Sequence, residues 1–153
     1  MPHTPSGCGR CCVADVEMAL ALLRSKGERV TKARRAVLRA LAERPHQDAE
    51  SVAALVASAD PGVHRATIYR NLQSLVDAGV VSHTHVPDAA TIYHLSVTGH
   101  RHTHLQCVQC GCMVDIPLEW VSPLGDRVRD ELGFELDAGH AALLGTCQDC
   151  AAS

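Results

Sequence analysis

Two Cys-x-x-Cys pairs, Cys107-Val-Gln-Cys110 and Cys147-Gln-Asp-Cys150, constrain this chain more than any other feature. Four thiolates at that spacing suit a tetrahedral zinc ion, which takes soft or borderline donors and closes a structural site. The 36 residues between the pairs exceed the spacer of a zinc ribbon, so such a cage would tie together two segments distant in sequence. Two disulfides, or free thiols in a reducing cell, are the alternatives. The opening Met-Pro-His-Thr-Pro has no charged start followed by an apolar core, and no apolar run approaches membrane-spanning length. A cytoplasmic protein with no membrane partner is therefore expected, where eight cysteines favour metal or redox chemistry over a disulfide scaffold.

The net charge of −3 hides an asymmetry. Residues 1–86 carry 11 Lys and Arg against 8 Asp and Glu, a balance of +3. Residues 87–153 carry 3 against 9, a balance of −6. A basic half joined to an acidic half points to a nucleic-acid-binding domain attached to something else.

Hydrophobic spacing in the basic half predicts helices. One runs over residues 15–26 and stops at Gly27; a second starts after an N-cap at Thr31 and reaches about Glu43. Asp48 caps a third, in which Val52, Leu55 and Val56 recur at helical spacing. A fourth begins at Arg65, turns Ile68, Leu72, Leu75 and Val76 inward and ends at Gly79. That leaves Arg65, Thr67, Tyr69 and Arg70 outward at its front, where a ring can meet thymine methyls and a guanidinium can hold phosphate or guanine. Val80–Val86 and Thr91–Val97 alternate around Pro87-Asp-Ala-Ala90, a β-hairpin signal. The last three of these helices and the hairpin describe a winged helix-turn-helix, placed within residues 1–97, with residues 1–14 as a flexible extension. Cys8, Cys11 and Cys12 in that extension read as reactive thiols.

Beyond a Thr98-Gly99 hinge, residues 98–153 read as a dimerisation and metal-binding domain. His102–Val108 and Met113–Pro117 are expected strands, Val121–Leu132 a helix and Phe134–Leu144 a returning strand, giving an α+β fold overall. Leu124, Val128 and Leu132 share one helix face suited to a dimer core. His100, His102 and His104 alternate, so in a strand their imidazoles project to one face. His83 and His85 share a face in the same way.

Arg29-Val-Thr-Lys-Ala-Arg34, Ala66-Thr-Ile-Tyr-Arg70 and His100-Arg-His-Thr-His-Leu-Gln-Cys107, followed by Cys110 and the late cysteine pair, resemble the ferric uptake regulator family over roughly residues 15–150. The resemblance implies a dimeric, metal-dependent repressor that binds a palindromic double-stranded DNA operator. Arg29, Arg65, Thr67, Tyr69 and Arg70 would lie at the DNA. It also implies structural zinc on Cys107, Cys110, Cys147 and Cys150. Its sensing site would lie between the domains and use His46, His102 and His104, with His100 or His94 as a fourth ligand.

Gly79-Val-Val-Ser-His-Thr-His85 and Thr91-Ile-Tyr-His-Leu95 resemble the nickel uptake regulators of that family. This resemblance implies a nickel site on His83, His85 and His140. Imidazole suits nickel, zinc and copper, whereas carboxylate suits manganese and iron more. Relatives that sense zinc commonly place a cysteine ahead of the histidine strand, and no cysteine stands between Cys12 and Cys107. Iron and peroxide sensors typically include carboxylates, yet His94 and Thr103 occupy two of their usual positions. A nickel-responsive repressor is the first expectation, a zinc- or iron-responsive one the alternative. A metal chaperone or storage protein would explain the cysteines and histidines but not the basic helices. An enzyme is not expected, since neither His-Glu-x-x-His nor His-x-Glu occurs.

Overall fold

The computed structural model describes residues 16–86, 88–96 and 102–152. They fold as two compact units, one within residues 16–96 and the other within 102–152. The expected boundary at 97/98, the Thr98-Gly99 hinge, His100, Pro87 and the N-terminal extension with Cys8, Cys11 and Cys12 lie outside the described residues.

The first unit runs α1 (Val16–Ser25), α2 (Lys32–Glu43), β1 (Gln47–Asp48), α3 (Ala49–Ala59), α4 (Arg65–Asp77), β2 (Val81–Thr84) and β3 (Ile92–Leu95). Both expected N-caps are made. The Thr31 hydroxyl accepts from the Arg34 N–H at 3.2 Å, and the Asp48 carboxylate accepts from the Ser51 N–H at 2.7 Å. α4 ends in a Schellman turn, with Val80 N–H on the Leu75 carbonyl at 3.0 Å and Gly79 N–H on that of Val76 at 2.8 Å. Gly79 permits this because its φ is +70°. Leu20, Leu23, Val37, Leu38, Leu41, Val52, Val56, Ile68, Leu72 and Leu75 meet at the centre, and Val80, Val81 and Leu95 close the core from the hairpin.

Two details depart from the sequence-based expectation. Gln47–Asp48 forms a short strand, so the wing is a three-stranded sheet in the order β1-β3-β2. Thr67 is half-buried rather than outward, because it lies beside the buried Ile68 stripe and its carbonyl accepts from Asn71 Nδ2 at 2.7 Å.

The second unit runs β4 (His102–Cys107), β5 (Met113–Pro117), a 3-10 turn (Leu118–Trp120), α5 (Ser122–Leu132), β6 (Ala142–Gly145) and α6 (Gln148–Ala151). β4 lies at the centre, antiparallel to β5 and parallel to β6. The returning strand is far shorter than Phe134–Leu144. A turn around Gly139, braced by His140 Nδ1 at 2.9 Å from an Asp137 oxygen, delays pairing until Ala141. α5 has no buried residue; Leu124 and Leu132 are 52% and 75% exposed and Val128 is half-buried.

Arg34 ties the first unit together. Its guanidinium donates to Glu28 at 2.9 Å, to the Arg29 carbonyl at 2.6 Å and to the Ser74 hydroxyl at 2.6 Å, linking the α1–α2 loop to α4. Its side chain is only 13% exposed. Arg34→Ala should cost about 2 kcal/mol in urea unfolding, because those acceptors lose a charge-assisted donor. Arg35→Ala, which removes only an exposed 3.6 Å pair with Glu17, should change stability by less than about 0.5 kcal/mol.

Candidate metal centres and nucleic-acid interface

The four C-terminal cysteines converge: each sulfur lies within 4.8 Å of the other three. The first pair sits in a tight knuckle where Gly111 N–H reaches the Cys107 carbonyl at 2.9 Å and Cys107 N–H reaches that of Cys112 at 2.9 Å. Gly111 makes this turn possible with a φ of +71°. The second pair opens α6, whose N-cap is Cys147. Val108 N–H on the Gly145 carbonyl at 2.9 Å holds the first knuckle to the end of β6, just ahead of Cys147.

Sulfur geometry and proton affinity both favour a cation. Cys110 and Cys147 sulfurs are 3.8 Å apart, far beyond a disulfide bond but equal to the edge of a tetrahedron with metal–sulfur bonds of about 2.3 Å. No disulfide joins the described cysteines. The N–H of Cys147 points at the Cys107 sulfur at 3.4 Å and, with the N–H groups of Cys110 and Gln109, draws that thiol down to about 6. Cys150 is pushed up to about 12, mainly by hydrogen bonding with the Cys147 thiol. Zinc binds cysteine as thiolate, so a cation held by the cluster would displace the protons that the thiols carry. Cys112 is half-buried two residues beyond the first knuckle.

The histidines form three groups. In the second unit, His102 and His104 project from one face of β4 with ring centroids 4.9 Å apart. His104 is fully buried, and its Nε2 lies 3.4 Å from Asp115 Oδ1 on the paired position of β5. Asp115 was not among the residues expected from sequence. Its only sequence signal is the register across the cysteine knuckle, which sets His104 opposite it. In the first unit, His46 lies 5.4 Å from His94 between ring centroids. Continuing the β1–β3 register from Gln47↔Tyr93 places 46 directly across from 94, so the unforeseen strand is what pairs them. His46 has a φ of +58°, a left-handed conformation that costs a non-glycine residue about 1–3 kcal/mol. His94 is buried.

His83 and His85 form the third group, 4.9 Å apart and nearly edge to face, with His85 Nδ1 3.2 Å from the Thr91 hydroxyl. His140 belongs to the other unit, where its contact with Asp137 holds that carboxyl below the usual range.

At the front of α4, Arg65, Tyr69 and Arg70 are exposed, as is Arg29 in the loop before α2. Tyr69 donates its hydroxyl hydrogen to Glu50 on α3 at 3.0 Å, and Arg65 forms an ion pair with the same carboxylate.

The family profile of the ferric uptake regulators matches residues 25–142. The chain belongs to the ferric uptake regulator family. The peroxide-responsive repressor of Staphylococcus saprophyticus is 32% identical over 139 residues, 88% of this chain and 90% of that protein. The structure of the Pseudomonas aeruginosa ferric uptake regulator with manganese matches with a TM-score of 0.65 at 28% identity, over 85% of this chain and 98% of that one. The Helicobacter pylori ferric uptake regulator, at 18% identity, shares the fold with a TM-score of 0.72 over 92% and 97% of the two chains. This member of the family is thus a metal-responsive transcriptional regulator. No helix among its described residues is long and apolar enough to cross a membrane.

Family and geometry together set one expectation for the cysteines. One zinc per chain should survive mild chelation, and Cys107→Ser should lose it together with cooperative unfolding of the second unit. Loading should release protons and weaken as pH falls, because cysteines bind as thiolates. Elemental analysis and chelator titration across pH test both.

Proposed function

We propose that this protein is a homodimeric, metal-dependent repressor that binds a palindromic double-stranded DNA operator through the front of α4, with zinc in the cysteine cage and nickel as the regulatory metal. The observation that carries the reading is the pre-assembly of imidazoles in both units: His46 beside His94, and His102 beside His104. These four would hold one regulatory ion, with Asp115 at its edge. His94 is preferred to His100 as the fourth ligand because it is buried and already paired with His46. His83, His85 and His140 would form the companion nickel site.

A bound metal supplies a fixed, directional link among the donors that coordinate it. His46 and His94 belong to the unit that carries α4, and His102 and His104 to the unit that carries the exposed apolar face of α5. A ligand shifts a conformational equilibrium only through different affinity for the two states. Donors drawn from both units meet that requirement, because one ion fixes their separation. A dimer then sets the spacing of two α4 helices against two operator half-sites. Leu124, Val128 and Leu132 are the apolar residues available for that dimer core.

Asp115 favours a second reading. A carboxylate beside His104 adds a hard oxygen donor suited to iron or manganese. Among the relatives, one is a peroxide-responsive repressor and another is a ferric uptake regulator bound to manganese. Nickel is favoured by the imidazole count, iron or manganese by the carboxylate.

Operator binding measured with Ni, Zn, Fe(II) and Mn in turn separates them. Nickel should activate, and His83→Ala combined with His85→Ala should abolish that response while the cysteine cage stays filled. A normal nickel response in the double variant, or activation by zinc alone, overturns the nickel assignment. His94→Ala should weaken the metal response more than His100→Ala. Tyr69→Ala should cost about 1–3 kcal/mol at the operator and relax base preference, whereas Arg70→Ala should weaken all sequences alike and flatten the salt dependence.

A further inference from the structure

Glu50 stands in the first turn of α3, yet its carboxylate serves α4. One of its oxygens accepts the Tyr69 hydroxyl at 3.0 Å and takes the ion pair with Arg65. Arg65 Nη2 also lies 3.3 Å from the Tyr69 oxygen, and the guanidinium carbon is 5.7 Å from the ring centroid. The three side chains close a triangle at the foremost turn of α4. Glu50 and Arg65 are 60% and 62% exposed, so the pair adds little to stability. Its consequence lies in what it does to the two groups that face a ligand.

An exposed arginine at the front of a recognition helix binds any phosphate, and such contacts supply affinity without sequence information. With Glu50 beside it, Arg65 must exchange one anion for another, so the gain from an arbitrary phosphate shrinks. Tyr69 meanwhile has its phenol oxygen fixed by two neighbours, which sets the ring's direction before a base arrives. Pre-set orientation saves the ordering cost of a ring that can meet a base.

From this geometry we infer that Glu50 is a specificity-determining residue. It restrains Arg65 from indiscriminate phosphate binding and positions the Tyr69 ring for base contact. This rests on the reading of α4 as the DNA-recognition helix.

The experiment compares the metal-loaded parent, Glu50→Gln, Arg65→Ala and the double variant on operator and unrelated duplex DNA over a range of salt. Glu50→Gln should tighten unrelated-DNA binding about 5–10-fold and steepen its log–log salt slope by about one, the signature of one added phosphate contact. Operator affinity should change by less than about threefold, so the ratio of specific to non-specific binding falls. In the Arg65→Ala background the same substitution should have no effect on the slope. A similar tightening in both backgrounds would make Glu50 a general negative charge near DNA and overturn the role. Unchanged slope and selectivity in Glu50→Gln would overturn it too. A helix-stabilising role alone would move the melting temperature and leave the slope in place. If the parent fails to distinguish any operator, the DNA-recognition reading itself falls, a different failure from loss of the Glu50 effect.

Discussion

The convergence of four cysteine sulfurs is the constraint on which the second unit depends. Among its described residues, only Cys107, Ile116 and Val121 are buried apolar side chains. Trp120, Leu124, Leu132 and Phe134 are each more than half exposed. A unit of this size with so little core does not hold by hydrophobic burial alone. The two knuckles sit at opposite ends of the unit's sequence, so one ion held by both closes a loop of 36 residues at the base of the sheet. β6 pairs with β4 directly before the second knuckle, so a metal held there and the parallel ladder would reinforce one another. The proposed homodimer would supply the remaining burial, by covering the apolar face that α5 leaves open.

The first unit is held differently. Its core draws on all four helices and the hairpin, and its exposed charges carry little of the stability. That rigidity is what allows His46 to sit at positive φ. A strained backbone persists only where its surroundings over-determine it, and here the end of α2 precedes His46, with Arg44 N–H on the Ala40 carbonyl, while β1 pairing and the Asp48 cap follow within two residues. The β1–β3 register sets His46 across from His94 before any ligand arrives. In the second unit, the β4–β5 register does the same for His102, His104 and Asp115 without strain.

Features set by local chemistry were legible in the sequence. Thr31 and Asp48 cap because their oxygens reach N–H groups three residues on, and the four helices followed from apolar spacing. The paired spacing marked the four cysteines as candidate metal ligands, with disulfides as the alternative, and their sulfurs converge. What escaped depended on partners distant in sequence. β1 is two residues long and has no pattern of its own; it exists because β3 offers an edge. Asp115 and Glu50 look like ordinary surface carboxylates until register or helix packing brings His104 and Tyr69 to them. The spacing over Phe134–Leu144 looks continuous in sequence, yet Gly139 and the Asp137–His140 contact impose a turn. Helical phase turns Thr67 outward but does not show how closely the neighbouring stripe crowds it.

The strained histidine and the residue proposed to govern DNA selectivity lie on one short run of chain. His46 enters β1, Asp48 both pairs with Ile92 and caps α3, and Glu50 follows in the first turn, where its carboxylate reaches Arg65 and Tyr69. Nothing flexible separates these steps: a strand pair, a capped helix start and a side chain with two partners occupy five consecutive residues. Contiguity by itself is not coupling, which requires an element with two arrangements that both ligands bias. The exposed Glu50–Arg65–Tyr69 triangle offers two arrangements, because Arg65 can face either the carboxylate or a phosphate, and on the inference above DNA would bias them. On the readings above, the donor atom of His46 and the carboxylate of Glu50, which holds Arg65, stand at the two ends of that segment. A metal that drew on His46 would act on the backbone that holds Glu50 in place, in addition to any effect it has through the second unit.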